Sequence, residues 1–133
     1  MFYAVGGRET VPEAVGDSGH VNAYDPTTNT WQSRADLLQP RHRPGLAVLD
    51  GYLYALGGAC EKTHLDSVER YNAERDQWEW VAPMKNARVG VAAAVVNRLL
   101  YAIGGFNGIE RFNTIECFHP EKNEWLFVRY YIS

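Results

Sequence analysis

The chain contains the segment Leu53-Tyr54-Ala55-Leu56-Gly57-Gly58 and, 47 positions later, the segment Leu100-Tyr101-Ala102-Ile103-Gly104-Gly105. A third copy of the segment, near the N-terminus, is Phe2-Tyr3-Ala4-Val5-Gly6-Gly7. Each segment is a short apolar strand pattern that ends in two glycines, where the absence of a Cβ permits a positive φ and the close approach of another backbone. Three copies of such a segment predict a structural repeat.

Two aromatic positions follow each glycine pair at the same repeat length. The first unit has four extra residues before its first aromatic position, within residues 8–20, and an insertion of this kind is expected in a loop. The tryptophan of each unit is large enough to fill the gap between neighbouring sheets. The two sets, each spaced by 47 residues, are Trp31, Trp78 and Trp125, and Tyr24, Tyr71 and Phe118.

Composition indicates an ordinary globular chain. Of its 133 residues, 46% are hydrophobic and 22% are charged, and the formal net charge is -3. This balance argues against a general attraction to nucleic acid or to an anionic membrane surface. The longest apolar run, 91–96, is far too short to span a bilayer, and the N-terminus has no signal-peptide pattern. The sequence therefore predicts a cytoplasmic protein, with a nuclear location left open.

The sequence pattern of each unit predicts four antiparallel strands, here called A to D. Strand A is small and apolar, which suits an inner strand crowded by its neighbours. The pairs Asp50-Gly51 and Asn97-Arg98 predict two-residue turns from strand A into strand B, the strand that ends in the glycine pair. A polar turn after strand C leads to strand D, which carries the tryptophan. We place strand A at 45–49 and 90–96 and strand C at 68–71 and 115–118.

Four antiparallel strands per unit, with a glycine pair and a tryptophan in each, are typical of a β-propeller blade. The predicted fold is therefore all-β, an arc of about three four-stranded antiparallel blades of which the first is incomplete. The blade units run over about 1–34, 41–81 and 88–128, and 129–133 form an atypical C-terminal tail. Because propellers close with about four to eight blades, this arc is expected to be part of a larger propeller.

The glycine pair, the aromatic residue and the tryptophan together resemble the Kelch repeat. Further motifs, Glu69-Arg70-Tyr71, Val81-Ala82-Pro83-Met84 and Asn97-Arg98-Leu99-Leu100-Tyr101, resemble the propellers of BTB–Kelch ubiquitin-ligase adaptors. This resemblance implies a non-enzymatic protein-interaction module and a complete propeller of six blades, of which the chain is a fragment. It also implies a cullin-based ubiquitin ligase as a partner, reached through domains outside this chain.

Five arginines are predicted at one end of the blades, because the B–C and D–A connections of a four-stranded meander lie at the same end. Arg41 and Arg88 are 47 residues apart, and their recurrence favours a scaffold role, such as satisfying carbonyls of the adjacent blade. Arg8, Arg43 and Arg111 occupy places that other units fill with alanine, phenylalanine, glycine or histidine. The scaffold does not need arginine at these three places, which favours ligand binding.

An acidic peptide or phosphopeptide is the natural ligand of such a cluster, because arginine forks pair bidentately with carboxylate or phosphate. The resemblance implies an acidic motif of the Glu-Thr-Gly-Glu type from an oxidative-stress transcription factor. This chain departs from the family pattern at two positions, because Thr10 and His42 stand where the family has asparagine amides. The predicted peptide-binding residues are Arg8, Thr10, His42, Arg43, Val89, Gly90, Phe106 and Arg111.

Other functions fit the sequence less well. Copper-radical oxidases also use Kelch-type propellers, but the four histidines of this chain lack the spacing of metal ligands. A Gly-x-Ser-x-Gly nucleophile motif and a phosphate-binding glycine loop are missing as well. We therefore expect no metal, no cofactor and no enzymatic activity. The alternative that stays open is a fragment of a generic actin-associated Kelch scaffold.

Overall fold

The structure, a computed structural model, describes residues 1–11 and 14–129 of the chain. The described residues form β-strands and no helix, which confirms the predicted all-β class. The strands are β1 (Phe2–Val5), β2 (Arg8–Val11), β3 (Ala14–Asp17), β4 (Val21–Asp25), β5 (Thr30–Arg34), β6 (Gly45–Leu49), β7 (Tyr52–Leu56), β8 (Ala59–Cys60), β9 (Thr63–His64), β10 (Val68–Asn72), β11 (Gln77–Val81), β12 (Ala92–Val96), β13 (Leu99–Ile103), β14 (Ile115–His119) and β15 (Glu124–Phe127).

Three antiparallel sheets follow one another along the chain, and each holds one unit of the repeat. The first sheet has the strand order β1-β4-β5, the second β11-β10-β7-β6 and the third β12-β13-β14-β15. Two hairpins, β2-β3 and β8-β9, lie in the B–C connections of the first and second sheets. The fold is therefore an arc of three propeller blades, and the predicted insertion of the first unit falls in the β2-β3 hairpin. Residues 130–133 of the predicted tail lie outside the described residues.

Two-residue turns join strand A to strand B in the second and third blades, as predicted. The strand registers leave only Asp50-Gly51 and Asn97-Arg98 unpaired between β6 and β7 and between β12 and β13. Their φ angles are all positive, 51° and 81° in the first turn and 50° and 61° in the second. This conformation matches the twist of the hairpin. Arg98 therefore has a left-handed backbone where the second blade has Gly51.

Strand A of the third blade is shorter than predicted. The sequence places its start at residue 90, whereas β12 begins at Ala92. The cause is the positive φ of Gly90, 68°, which interrupts the extended backbone before the strand. Strand A of the second blade, β6, has the predicted bounds.

The glycine pairs end strand B and receive the chain as it enters the next blade. Gly6 has a φ of +65°, and a Cβ at this position would lie 2.5 Å from the carbonyl oxygen of Arg41. The N–H of Gly7 donates to the same oxygen at 2.7 Å, and Gly58 donates equivalently to Arg88 at 2.8 Å. The pair is thus required by the close approach of an arginine backbone from the next blade.

The Arg41 side chain is fully buried within the second blade. Its Nε donates to Glu69 Oε2 at 3.1 Å, Nη1 donates to the carbonyl oxygens of Gly57 and Ser67 at 2.8 and 2.9 Å, and Nη2 donates to Ser67 Oγ at 3.0 Å. Burial lowers the pKa of this guanidinium, and the Glu69 carboxylate opposes that shift. These hydrogen bonds offset the free-energy cost of burying the guanidinium charge.

Arg88 and Glu116 repeat this arrangement in the third blade. Arg88 Nε donates to Glu116 Oε2 at 3.0 Å, and the other guanidinium nitrogens donate to Gly104 and Thr114. The scaffold role is therefore correct, but two expectations about these arginines are wrong. They do not project from the face, since both side chains are 0% exposed. Their side chains also satisfy carbonyls of the blade they enter, whereas it is their backbone N–H and carbonyl groups that bond the preceding blade.

Each glutamate of these pairs also fixes the connection between two blades. Glu69 accepts the N–H groups of Leu38 and Gln39 at 2.7 and 3.3 Å. Glu116 accepts those of the equivalent residues 85 and 86 at 2.6 and 3.2 Å. One carboxylate therefore neutralises the buried arginine and holds the incoming D–A connection.

A second repeated contact, here called the clasp, joins each blade to the one before it. In the second blade, Trp78 Nε1 donates to the carbonyl oxygen of Ala35 at 2.9 Å. The N–H of Ala35 donates back to Asp76 Oδ1 at 2.9 Å, and the Tyr71 hydroxyl donates to the same oxygen at 2.6 Å. The clasp thus satisfies both backbone groups of one residue in the connection.

The third blade forms the clasp with Trp125, Asn123 and Ala82, without the hydroxyl bond because Phe118 replaces the tyrosine. Both of its bonds to the Ala82 backbone are 2.8 Å long. Trp78 and Trp125 are buried, which confirms that the tryptophan of these units fills the gap between sheets. Trp31 of the first blade is 59% exposed, because none of the described residues lies on that side of its sheet.

Two apolar cores lie between consecutive blades. Each fully buried leucine or phenylalanine contributes about 1.5–3 kcal/mol, so these cores supply the largest favourable contribution to the free energy of folding. The first core consists of Val21, Leu37, Leu53, Ala55, Tyr71 and Trp78. The second consists of Leu49, Tyr54, Leu56, Val68, Met84, Val91, Leu100, Ala102, Phe118 and Trp125.

Arg41→Ala is expected to lower the free energy of unfolding by about 3–5 kcal/mol, because it leaves Glu69 buried without its counter-charge. The partly exposed pair between Arg70 and Glu79, with a 2.5 Å Nε–Oε1 distance, supplies the control. Glu79→Gln should cost no more than about 1 kcal/mol. Chemical denaturation followed by tryptophan fluorescence measures both variants, and equal losses would contradict the scaffold role of Arg41.

The clasp of the second blade should be sensitive to acid, whereas that of the third blade should not. Hydrogen bonds from Tyr71 and from the Ala35 N–H hold the pKa of Asp76 below its usual 3.8. A carboxylate with a lowered pKa stabilises the fold above that usual value, and this contribution is lost as the pH falls through the folded-state pKa. Asp76→Asn reproduces the Asn123 clasp and removes the titrating group.

We therefore expect the stability of the parent chain, measured relative to Asp76→Asn, to decline as the pH is lowered below 3.8. Thermal unfolding of both proteins across a pH series gives this difference. A difference that does not vary with pH in that range would show that Asp76 has the same pKa in the folded and unfolded chains.

Candidate functional site

The candidate site lies at the end of the blades where the B–C and D–A connections meet, here called the arginine face. Arg8 begins β2 in the B–C connection of the first blade. Arg43 lies in the D–A connection before β6, and Arg111 lies in the B–C connection of the third blade. All three side chains are exposed. Each of the three blades therefore contributes a connection to this face.

The buried arginines fix the backbone of the residues that follow them. After Arg41, residue His42 forms a pair of backbone bonds with Ala59, 2.7 Å for the N–H of His42 and 2.8 Å for that of Ala59. Arg43 follows with an exposed side chain. In the third blade, Val89 after Arg88 forms the equivalent backbone pair with Phe106, at 2.8 and 3.0 Å. The scaffold contacts thus fix the backbone of three predicted site residues, His42, Val89 and Phe106.

Arg43 and Gly90 occupy equivalent places in successive blades, and they contact each other. The N–H of Gly90 donates to the carbonyl oxygen of Arg43 at 3.0 Å. A Cβ on Gly90 would lie 2.8 Å from Arg43 Nη2, so the guanidinium rests on the glycine. Both residues have left-handed φ angles, 55° and 68°. Glycine adopts this conformation without cost, whereas a residue with a Cβ loses roughly 1–2 kcal/mol, so the scaffold does not account for arginine here.

Phe106 connects Arg111 to this pair. Phe106 bridges to Val89 on one side and to Arg111 on the other. The guanidinium carbon of Arg111 lies 5.7 Å from the centre of the Phe106 ring, within the range of a cation–π contact. The structure therefore brings together four of the predicted residues in one continuous surface, Arg43, Gly90, Phe106 and Arg111, whereas the predicted site residue Val89 is buried beside them.

His64 belongs to the same surface, although sequence reasoning did not select it. Its ring lies 6.2 Å from that of Phe106, centre to centre, in an edge-on contact. It also lies over Gly108, where a Cβ would be 2.8 Å from its Cε1 atom. The available signal was its equivalence to Arg111 in the repeat, because equivalent residues of successive blades emerge side by side on the same face.

Arg8 lies apart from this surface, in the hairpin of the first blade. It pairs across the hairpin with Asp17, whose carboxylate accepts the backbone N–H of Glu61. This bond joins the hairpin to the B–C connection of the second blade. Arg8, Asp17, Glu61 and Lys62 are among the residues that line an open cavity of about 340 Å³ there. Thr10 lies in β2, and its side chain is outside the described residues.

The guanidinium groups of Arg8, Arg43 and Arg111 have no hydrogen-bonded acceptor among the described residues. By contrast, Arg41, Arg70 and Arg88 each donate to carboxylates and other oxygens. An exposed guanidinium with free donors binds planar anionic groups bidentately. Stacking on Phe106 and packing on Gly90 limit the motion of Arg111 and Arg43, which reduces the entropy lost when a carboxylate binds.

Within the part of the chain that the structure describes, no group of three or more histidine, cysteine, aspartate or glutamate side chains is placed to hold a metal ion. His119, at the end of β14, lines a cavity of about 300 Å³ with Arg98 and Lys122. This cavity lies at the opposite end of the blades from the arginine face.

Comparison with known proteins agrees with the geometry of the blades. A family model described as the Kelch motif matches residues 40–85 and 87–129, which are the second and third repeats. Kelch-like ECH-associated protein 1B of Danio rerio is 49% identical over 68 residues, 51% of this chain and 12% of that protein. Kelch-like ECH-associated protein 1A of the same species is 44% identical over 64 residues, 48% of this chain and 11% of that protein.

A human relative shows that the likeness extends to another protein of this kind. Kelch repeat and BTB domain-containing protein 13 of Homo sapiens is 41% identical over 71 residues, 53% of this chain and 15% of that protein. The chain thus covers a small part of each of these relatives. The sheets and repeats define a β-propeller arc that serves as a protein-interaction module. Since the family model matches more than half of the sequence, the chain belongs to the Kelch-motif family.

Among residues 1–11 and 14–129, no helix is long and apolar enough to cross a bilayer.

Arg43→Gly should remove the backbone strain of the left-handed residue without disturbing the fold. We expect the free energy of unfolding to stay equal or to rise by up to about 1 kcal/mol, since the strain relieved is partly offset by the added flexibility of the unfolded chain. Arg98→Gly, at the other left-handed arginine, should behave alike. A clear loss of stability in Arg43→Gly alone, measured by denaturation, would assign Arg43 to the scaffold.

Proposed function

We propose that the arginine face binds an acidic peptide segment and that the chain acts as a non-enzymatic recognition module. One observation carries this proposal. Arg43 holds a left-handed backbone that the next blade gives to glycine, and its guanidinium has no hydrogen-bonded acceptor among the described residues. A strained, exposed and unpaired arginine that the repeat does not require is best explained by a ligand with negative charge.

Two carboxylates of the peptide would occupy the two ends of the continuous surface. One pairs with Arg43 beside Gly90, where the lack of a Cβ leaves room for the guanidinium. The other pairs with Arg111, whose stacking on Phe106 leaves the in-plane N–H donors directed away from the ring. A tight turn that presents two acidic side chains, as in a Glu-Thr-Gly-Glu segment, would supply one carboxylate to each of these arginines.

His42 contributes next to this surface, and Arg8 contributes from the separate hairpin of the first blade. Arg8 adds a third positive charge from the first blade, near the acidic residues Asp17 and Glu61, which weaken its long-range attraction. His42 and Thr10 replace the amides expected from the family, so they offer fewer hydrogen bonds to a peptide backbone. We infer that charge pairing carries a larger share of the affinity here than backbone bonding.

The relatives suggest the biological setting of such recognition. We propose that the chain is part of the substrate-recognition propeller of a cullin-type ubiquitin-ligase adaptor. Its ligand is an acidic motif of an oxidative-stress transcription factor, and its location is cytoplasmic with access to the nucleus. The names of the Danio rerio relatives and of the human BTB-domain protein support this class of adaptor.

Peptide affinity measured by fluorescence anisotropy tests the proposed site. Arg43→Ala should weaken binding of a Glu-Thr-Gly-Glu peptide by about 1.5–3 kcal/mol, the range for a hydrogen bond to a charged group. Arg98→Ala is the matched control, because it removes the same charge from a left-handed, exposed position at the opposite end of the blades. Its affinity should equal that of the parent chain.

Salt and peptide charge supply the remaining controls. Affinity should fall as the ionic strength rises, and a Gln-Thr-Gly-Gln peptide should bind more weakly than the acidic one. Equal binding of the two peptides would overturn the proposal, as would equal losses in Arg43→Ala and Arg98→Ala. The second result would mean that general charge, not the site, attracts the peptide.

A further inference from the structure

An Asn-Gly pair lies in the B–C connection of the third blade, between two residues of the candidate site. Asn107 and Gly108 follow Phe106 directly, and Arg111 follows Gly108 by three positions. Asn107 is the one asparagine of the sequence that precedes a glycine. Asparagine is among the chemically labile residues of proteins, and the backbone nitrogen after it attacks the side-chain amide most readily when its own residue has no Cβ in the way. The pair is therefore a candidate modification site within the arginine face.

The backbone nitrogen of Gly108 is accessible to the Asn107 side chain and to water. Gly108 is exposed, and its N–H has no hydrogen-bonded acceptor among the residues that the structure describes. Packing also requires glycine at this position, because a Cβ would lie 2.8 Å from His64 Cε1 and the φ angle is +96°. The contact with the neighbouring blade therefore keeps an unhindered nitrogen next to Asn107.

The side-chain carbonyl of Asn107 is polarised by two backbone donors. Its Oδ1 accepts the N–H groups of Ile109 and Glu110 at 2.9 and 2.8 Å. Such donors make Cγ more electrophilic, and they stabilise the negative charge that develops on Oδ1 when a nucleophile adds to Cγ. Electrophile and nucleophile thus belong to adjacent residues of one exposed turn.

We infer that Asn107 and Gly108 form a spontaneous deamidation site, and that its isoaspartate product opens the loop that holds Arg111 against Phe106. The Gly108 nitrogen loses its proton to solvent and bonds to Asn107 Cγ. The Cγ–Nδ2 bond breaks, and Nδ2 takes a proton from solvent and leaves as ammonia. Water then adds to the backbone carbonyl carbon of the cyclic imide, whose bond to the Gly108 nitrogen breaks. That nitrogen regains a proton, the new acid ionises, and the chain continues through Cγ as isoaspartate.

Isoaspartate adds a methylene to the backbone of this loop and a negative charge to its side chain. The loop is closed by the N–H of Phe112, which donates to the carbonyl oxygen of Gly105 at 2.8 Å, and by the pairing of Phe106 with Arg111. A longer backbone cannot keep these pairs in register, so Arg111 leaves its place beside Phe106. The new carboxylate also repels an acidic ligand. The modification therefore lowers the affinity for an acidic peptide, a consequence that rests on the proposed function.

Peptide mapping by mass spectrometry, on chain incubated at mildly alkaline pH, tests the modification. Deamidation at Asn107 should be at least tenfold faster than at Asn72, the matched control within the chain. Asn72 Oδ1 also accepts the N–H groups two and three residues later, at 3.0 and 3.3 Å, but the exposed residue that follows it is Ala73. Enzymatic methylation of isoaspartate identifies the product. Equal rates at the two asparagines would overturn the inference, as would aspartate as the sole product.

Amide hydrogen exchange and peptide affinity test the effect on the loop. In the modified chain, the Phe112 N–H should exchange at least tenfold faster, and the affinity for a Glu-Thr-Gly-Glu peptide should fall at least tenfold. Asn107→Ser keeps a hydroxyl acceptor for the turn and cannot form the imide, so both values should stay constant through the same incubation.

The two measurements separate this inference from the proposed function. Unchanged exchange at Phe112 in the modified chain would overturn the inference, as would unchanged affinity in a chain that bound the peptide when fresh. A fresh chain that does not bind the peptide would contradict the proposed function instead, and the exchange of Phe112 would still decide whether the modification opens the loop.

Discussion

The buried pair of an arginine and a glutamate in each complete blade is the interaction on which the rest of the structure depends. Such a pair is expensive, because two charges leave water and must find enough partners to offset the loss. Here the arginine also satisfies two carbonyls of its own blade, and the glutamate also holds two N–H groups of the incoming connection. The pair therefore defines the point at which the chain passes from one blade to the next.

This fixed point separates scaffold from site by only two residues. The arginine of the pair belongs to the scaffold, since every guanidinium nitrogen is engaged inside the blade. The residue two positions later has an exposed side chain in the second blade and none in the third, where it is Gly90. A repeat built in this way can change its binding face without changing its packing. Arg43 and Gly90 are then two uses of one backbone conformation, one supplying charge and the other supplying space for it.

Much of the fold could be predicted from the sequence, because the residues that each blade requires recur at the same positions in successive units. The glycine pairs, the two-residue turns and the tryptophans all have direct physical reasons at their positions. The burial of Arg41 and Arg88 could not be predicted in the same way. Recurrence indicated a scaffold role, but the carbonyls that receive the guanidinium come from strand ends of the same blade, and only their three-dimensional approach reveals this.

The candidate site shows a similar division. Repeat asymmetry selected Arg43 and Arg111, since charge at a variable loop position is visible in the sequence. The contacts of these arginines with Gly90 and Phe106 depend on how one blade lies beside the next. The contact of His64 with Phe106 depends on the same arrangement and could not be seen in the sequence. The position of Arg8 depends on a hairpin that only the first unit has, so the other two units gave no template for it.

The clasp has a consequence for how the chain folds as it is synthesised. Ala35 is bound by residues that follow it by 41 and 43 positions, and Ala82 is bound over the same separations. The backbone groups of each connection therefore stay unsatisfied until the last strand of the next blade has left the ribosome. Folding must proceed one blade behind translation, and the nascent chain always carries one incomplete blade as its most aggregation-prone part.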